Sequence, residues 1–350
     1  MFFASDNGGP AAPEVMDAMM RANEGTAMPY GADPIMDRVR AQIREVFEAP
    51  EAEVYLVATG TAANSISLAC LVQPWQTVYC HRHAHIEADE CGAPEFYTGG
   101  SKLTLIDGAD GKMPAAALKT AISETGAVGV HGVQKGALSI TNATESGTVY
   151  TPAEVAELAG IAKAHSVPTH MDGARFANAL VRLGCTPAEL TWKAGVDILS
   201  FGGTKNGLLG VEAVVLFNPD YAWEFELRRK RGGHLFSKHR FLSAQMEAYL
   251  TDGLWLKLAR QANAAADRLA KGILTVPGAS LMHPVEANAI FASWSRKGHR
   301  AAQEASAKYY HWPFDQSLDG HDDEMISARL VCNWATSDAE IDQFLQLISE

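Results

Sequence analysis

Between Glu53 and Asn218, short apolar runs rich in β-branched residues alternate with longer stretches of helical character, and this alternation limits the fold more than any other feature. The runs are Glu53 to Ala58, Thr77 to Cys80, Lys102 to Ile106, Ala127 to Val130, Val167 to Met171, Asp197 to Phe201 and Ala213 to Phe217. Strands separated by helices pair mostly in parallel, because a parallel neighbour is reached only through a crossover. The spacing predicts helices over Thr61 to Val72, Pro152 to His165 behind the cap Thr151, and Pro187 to Ala194 behind the cap Thr186. Both prolines stand at the first helical position, where a missing N–H does no harm. Thr61 itself reads as a possible N-cap. Beyond Asp220 the pattern turns to long helical sequence, Tyr221 to Leu250 and Leu254 to Leu274. It ends in an α+β tail with candidate strands Ala289 to Trp294, Tyr309 to Pro313 and Ile326 to Trp334, closed by a helix from Asp338 capped by Ser337.

At 350 residues the chain exceeds what one hydrophobic core usually serves. The expected class is therefore α/β, with a large domain over 25–250 built on a mostly parallel seven-stranded sheet and a smaller C-terminal α+β domain over 251–350. An N-terminal segment, 1–24, is expected to pack against the small domain and the site. A net charge of −12 argues against a nucleic-acid partner, which would need clustered cations. The one basic run, Arg228 to Arg231 with Lys238 and Arg240 beyond it, suits a small phosphate or carboxylate, or simply a solvated helix face. No apolar run reaches membrane-spanning length, and the five scattered cysteines form neither a disulfide framework nor a zinc pattern. Cytoplasm is the expected compartment, since Met1 to Asn7 lacks a basic stretch ahead of an apolar one.

In sheets of this kind ligands bind beyond the carboxyl ends of the strands. There the sequence reads Ser200-Phe201-Gly202-Gly203-Thr204-Lys205-Asn206-Gly207, a lysine in a glycine-rich turn directly after a strand. An amine held at such a place is suited to Schiff-base chemistry. Alone it would most often be a surface lysine. Another strand end carries His170-Met171-Asp172-Gly173-Ala174-Arg175, and an aspartate paired with a lysine is what pyridoxal 5'-phosphate requires: one group to bind the aldehyde, one to keep the ring nitrogen protonated. Ala58-Thr59-Gly60-Thr61-Ala62-Ala63-Asn64 joins a strand to a helix N-terminus, where free N–H groups attract a phosphate. His81, His83 and His85 alternate along the next segment; stacking of one imidazole on the cofactor ring is the better use of them, and no metal is expected.

Taken in order, Tyr30-Gly31-Ala32-Asp33-Pro34, Thr59 to Asn64, Ala84-His85 with Glu90, His170 to Arg175 and Thr204-Lys205 resemble the L-threonine aldolases of the β-eliminating lyase group. The wording of Asp89 to Glu95 and of Leu190 to Asp197 is similar to the low-specificity branch. The resemblance spans nearly the whole chain. It implies fold type I, pyridoxal phosphate as cofactor, and cleavage of threonine, allo-threonine and related β-hydroxy-α-amino acids to glycine and an aldehyde. It gives Lys205 to the Schiff base, Asp172 to the pyridinium, Gly60 and Thr61 to the phosphate, Thr204 to the cofactor, and His85 to ring stacking. It gives Ser5, Arg175 and Arg329 to the substrate carboxylate, Arg175 also lying beside the cofactor. Tyr30, Lys230 and Lys238 are implied to reach a neighbouring subunit's site, which requires a homodimer, in this group commonly paired into a tetramer. One departure is Glu145, in Thr144-Glu145-Ser146-Gly147, where many relatives carry a histidine near the substrate hydroxyl; this leaves His85 and Glu145 both open as the base. Another fold type I lyase, an aminotransferase and a non-catalytic cofactor-binding protein are the competing readings.

Overall fold

The computed structural model describes residues 1–349. β1 (Glu53–Val57), β2 (Gln76–His81), β3 (Lys102–Ile106), β4 (Gln134–Thr141), β5 (Thr169–Gly173), β6 (Ile198–Phe201) and β7 (Glu212–Leu216) form one sheet in the order β1-β7-β6-β5-β4-β2-β3. Only β7 runs against its neighbours, β1 and β6; the other pairings are parallel. The carboxyl ends of β1, β2, β4, β5 and β6 therefore open on one side. The helix Gly60–Leu71 is apolar or small on every face because Ala62 through Cys70 are all buried between the sheet and outer helices. Phe201, fully buried at the end of β6, touches the rings of Phe47, Phe176, Tyr249 and Trp255 at centroid distances of 5.6, 5.8, 5.9 and 5.4 Å. At about 0.5–1.5 kcal/mol per aromatic pair, these contacts anchor the strand that leads into the Lys205 turn.

A second, antiparallel sheet follows: β8 (Ser280–Leu281), β9 (Ala289–Ser295), β10 (Tyr310–His311) and β11 (Met325–Val331), in the order β10-β11-β9-β8. Its own core centres on Trp294, Phe344 and Phe3, and the N-terminal chain joins it through hydrogen bonds from Phe3 N to Lys308 O and from Val331 N to Phe3 O. Along β11 the pleat sends Ala328 and Leu330 into this core and Arg329 to the opposite face. The helix Leu254–Ile273 belongs to both cores, Trp255 and Leu258 packing with the first and Leu269 and Ile273 with the second. No helix of the described residues is long and apolar enough to cross a membrane.

Five details differ from expectation. The helix expected over Pro187 to Ala194 is broken at Thr191 into Pro187–Leu190 and a single turn, Trp192–Ala194. Ala127 to Val130 is no strand: Gly126 and Gly129 take positive φ, Val128 and Val130 are exposed, and β4 begins at Gln134. The true strand is masked in the sequence by Gly136, which is needed because a Cβ there would lie 2.4 Å from Thr77 O where β2 and β4 change register. Tyr221 to Leu250 is broken into helices Ala222–Arg231 and Arg240–Leu250 at Gly232 and Gly233. The strand expected at Tyr309 to Pro313 pairs only at two residues, Pro313 having no N–H to offer. Finally, the N-cap of the first crossover helix is Thr59, whose hydroxyl accepts the Ala62 N–H at 3.1 Å, and not Thr61.

Candidate active site

Two turns meet beyond the sheet. β5 ends in Asp172-Gly173 and β6 runs into Gly202-Gly203-Thr204-Lys205, with Asp172 opposite Ser200 in register. Gly202 is required where they touch, since a Cβ would lie 2.2 Å from Ala174 O. Gly202 N also donates to Gly173 O at 3.0 Å. The lysine turn is held from beneath: Asn206 donates to Tyr249 Oη at 2.7 Å and to Trp255 O at 2.9 Å. Asp172 is buried and fixed on both oxygens, Oδ1 accepting the Ala174 N–H at 3.0 Å and Oδ2 accepting Asn64 Nδ2 at 3.1 Å.

The same Asn64 Nδ2 donates to Glu90 Oε1 at 2.8 Å, and Glu90 in turn meets His85 Nδ1 at 2.8 Å. The Glu90 side chain is wholly buried, so this is a water-poor carboxylate–imidazole pair bridged to Asp172. Burial alone would push His85 down. The Glu90 hydrogen bond and the charges of Asp172 and Glu145 reverse this, holding the imidazole above its ordinary range. Glu145 shows the opposite balance. Burial pushes it up, but Lys205, Arg175, His85 and Arg329 together bring its carboxyl below the usual range, so it stays charged at neutral pH.

Two arginines reach this region differently. Arg175 is already engaged: Nε and Nη2 donate to the two oxygens of Asp6 at 2.7 and 3.1 Å, both side chains nearly inaccessible. Asn288 adds a third hydrogen bond to Asp6 at 3.0 Å. Arg329 is half-buried, and among the described residues no hydrogen bond or ion pair engages its guanidinium. Burial and the neighbouring Arg175 charge press its pKa down, the mark of a cation lacking an anion.

A cavity of about 650 Å³ unites these groups, lined by Ser5, Gly60, Thr61, His85, Glu145, Asp172, Arg175, Thr204, Lys205 and Arg329. An adjoining cavity of about 510 Å³ shares His85, Glu145 and Arg329 with it and extends along Phe291 and Trp312. Tyr30, Lys230 and Lys238 do not line either. They lie exposed, the Lys230 ammonium 4.9 Å from the centre of the Tyr30 ring. His81 is tied to Gly108 O at 3.1 Å, while His83 borders the second cavity. Sequence reasoning assigned no role to Asp6, Asn64, Glu90 or Glu212. Asn64 and Glu90 stood inside recognisable motifs, whereas nothing local marks Asp6 or Glu212, whose partners are distant in the chain.

Residues 3–296 match the family described as beta-eliminating lyase. The chain is similar to the low specificity L-threonine aldolase of Pseudomonas sp. (strain NCIMB 10558), at 42% identity over 340 residues, covering 97% of this chain and 94% of that protein. The structure of a threonine aldolase from Leishmania major superposes with a TM-score of 0.90 at 28% identity, covering 99% and 98% of the two chains. Serine palmitoyltransferase of Sphingomonas wittichii, at a TM-score of 0.71 and 14% identity over 100% and 86%, shares the fold alone.

Proposed function

The chain belongs to the beta-eliminating lyase family, among the low-specificity L-threonine aldolases, and from that premise we propose that the cavity around Lys205 cleaves L-threonine and related β-hydroxy-α-amino acids to glycine and an aldehyde. The observation that carries this reading is the half-buried, unpartnered Arg329 facing the same cavity as Lys205 and Asp172. An amine, a carboxylate for a ring nitrogen and an anion receptor together suit an α-amino acid bound beside pyridoxal 5'-phosphate.

The residues fit that cofactor. A volume of about 650 Å³ accepts it together with a small amino acid. Lys205 would hold it through its amine, and Asp172, immobilised by Asn64 and the Ala174 N–H, would keep the ring nitrogen protonated. The phosphate would sit on the N-terminus of the helix Gly60–Leu71, where the first-turn N–H groups and the helix dipole favour an anion. Thr204 would serve mainly by fixing the turn, because its hydroxyl already accepts the Val211 N–H at 3.2 Å. When bound, the cofactor takes up the electron pair released at Cα as the bond to Cβ breaks.

The chain's own groups choose the bond and move the proton. Arg329 would take the substrate carboxylate in a two-pronged contact, with the remaining nitrogen of Arg175 and Ser5 beside it, fixing the plane of Cα. Of the two open bases we assign the hydroxyl proton to His85. A base works best with its pKa near the working pH; His85 is raised toward it and Glu145 is lowered away from it. With Nδ1 committed to Glu90, Nε2 is the atom left to accept the proton, directly or through a water. Glu145 balances the cations around it. The adjoining cavity gives Cβ substituents larger than methyl a place to go.

Incubation with L-threonine and pyridoxal phosphate is expected to yield glycine and acetaldehyde in equal amounts. Formation of a keto acid with ammonia, or amino transfer to an added keto acid, would overturn the reading. Glu90→Gln is expected to keep the fold and to move the acid limb of the kcat/KM profile to lower pH, since an amide no longer favours the imidazolium of His85. An unmoved limb would remove Glu90 from this role. Tyr30, Lys230 and Lys238 are proposed to complete a neighbour's site in a homodimer. The exposed Lys230–Tyr30 contact and the hydrogen bond from Tyr30 N to Ser237 O, which ties the two loops, support this. A monomer by light scattering at assay concentration would exclude it.

A further inference from the structure

Glu212 opens β7 opposite Val57, the last residue of β1, and so stands beneath both the Thr59–Thr61 turn and the lysine turn. Its Oε2 accepts the Gly203 N–H at 2.7 Å, and Thr204 donates to it through hydroxyl and backbone N–H. It is buried and lines the same cavity as Thr59, Gly60, Thr61 and Lys205. Burying a carboxylate is costly, and a neutral amide could accept the same N–H. The turn is also secured independently, through Asn206 to Tyr249 and Trp255. What an amide could not supply is charge. The titratable groups that face Glu212 are Lys205, from its own turn, and Tyr249, from the helix Arg240–Leu250, and only Lys205 can be a cation.

We infer that Glu212 is a positioning residue for Lys205, clamping its turn through Gly203 and Thr204 and acting as the counter-charge to the lysine nitrogen. Burial brings the Glu212 carboxyl up to about 7, even with the hydrogen bonds and the Lys205 charge pulling it down. The counter-charge is thus present above neutrality and is lost as pH falls below it.

This rests on the reading that Lys205 carries the cofactor. The test is a pH titration of the visible absorbance band of purified holoenzyme, with cofactor content and far-ultraviolet circular dichroism recorded alongside. Glu212→Gln should fold and hold cofactor while the midpoint of the band moves to lower pH by roughly one unit, since the protonated lysine nitrogen loses an opposite charge. Glu212→Asp should return it toward the wild-type midpoint. A Gln variant with the wild-type midpoint, or one that folds and holds no cofactor, would reduce Glu212 to a structural clamp and overturn the inference. Should Gln fail to fold, Asp decides: charge kept predicts the midpoint kept, and a shifted midpoint counts against it. A wild type lacking a band that Lys205→Ala removes would instead bring down the underlying reading.

Discussion

Lys205→Ala is expected to abolish the visible band and to lower threonine cleavage by at least about three orders of magnitude, some 4 kcal/mol of barrier, with the melting temperature near that of wild type. The structure separates the two effects. Lys205 is half-buried against the cavity and makes no hydrogen bond or ion pair to a described residue, so truncation breaks no structural contact. The turn itself is fixed by Gly203, Thr204 and Asn206, none of which depends on the lysine side chain. Stopped-flow or coupled detection of acetaldehyde, together with a thermal melt, checks both halves. Retention of more than about a tenth of the activity would exclude Lys205 as the essential amine.

Arg329→Leu is the second large effect. Loss of a two-pronged guanidinium–carboxylate contact in a cavity is worth about 2–3 kcal/mol, so KM for threonine should rise on the order of 100-fold, with the cofactor band unchanged. Arg329→Lys should recover little, because an ammonium cannot fix the plane of a carboxylate. Arg175 would be a poorer probe of the same contact. Its removal leaves Asp6 buried without its main partner, and that destabilisation would mix with any effect on binding. Steady-state kinetics on the Arg329 variants decides: an unchanged KM would move the carboxylate elsewhere in the cavity.

Where the sequence was legible, the physics was local. The strand runs that end at Val57, Gly173 and Phe201 stand out because strands buried on both faces are apolar along their length, and the residues just after them carry the chemistry. Thr151 and Thr186 announce helices through capping boxes that operate within four residues. The failures are equally local in cause. Ala127 to Val130 has strand-like composition but sits between glycines that turn the chain outward, and the real β4 hides behind a glycine demanded by a neighbouring strand.

At the site, the lysine, the aspartate and the helix N-terminus could be read because each follows its own strand. The pairing of Arg175 with Asp6 could not, since it joins residues 169 apart. Nor could the difference between His85 and Glu145: it depends on which charges surround each group, a property of packing alone. The isolation of Arg329 is likewise visible only when its neighbours are in place.

The most direct test of the central claim is borohydride reduction of the holoenzyme followed by peptide mass mapping. A single phosphopyridoxyl-modified peptide, with the label on Lys205 and the visible band bleached in step, is the predicted result. A label on another lysine, or none at all in active enzyme, would contradict it.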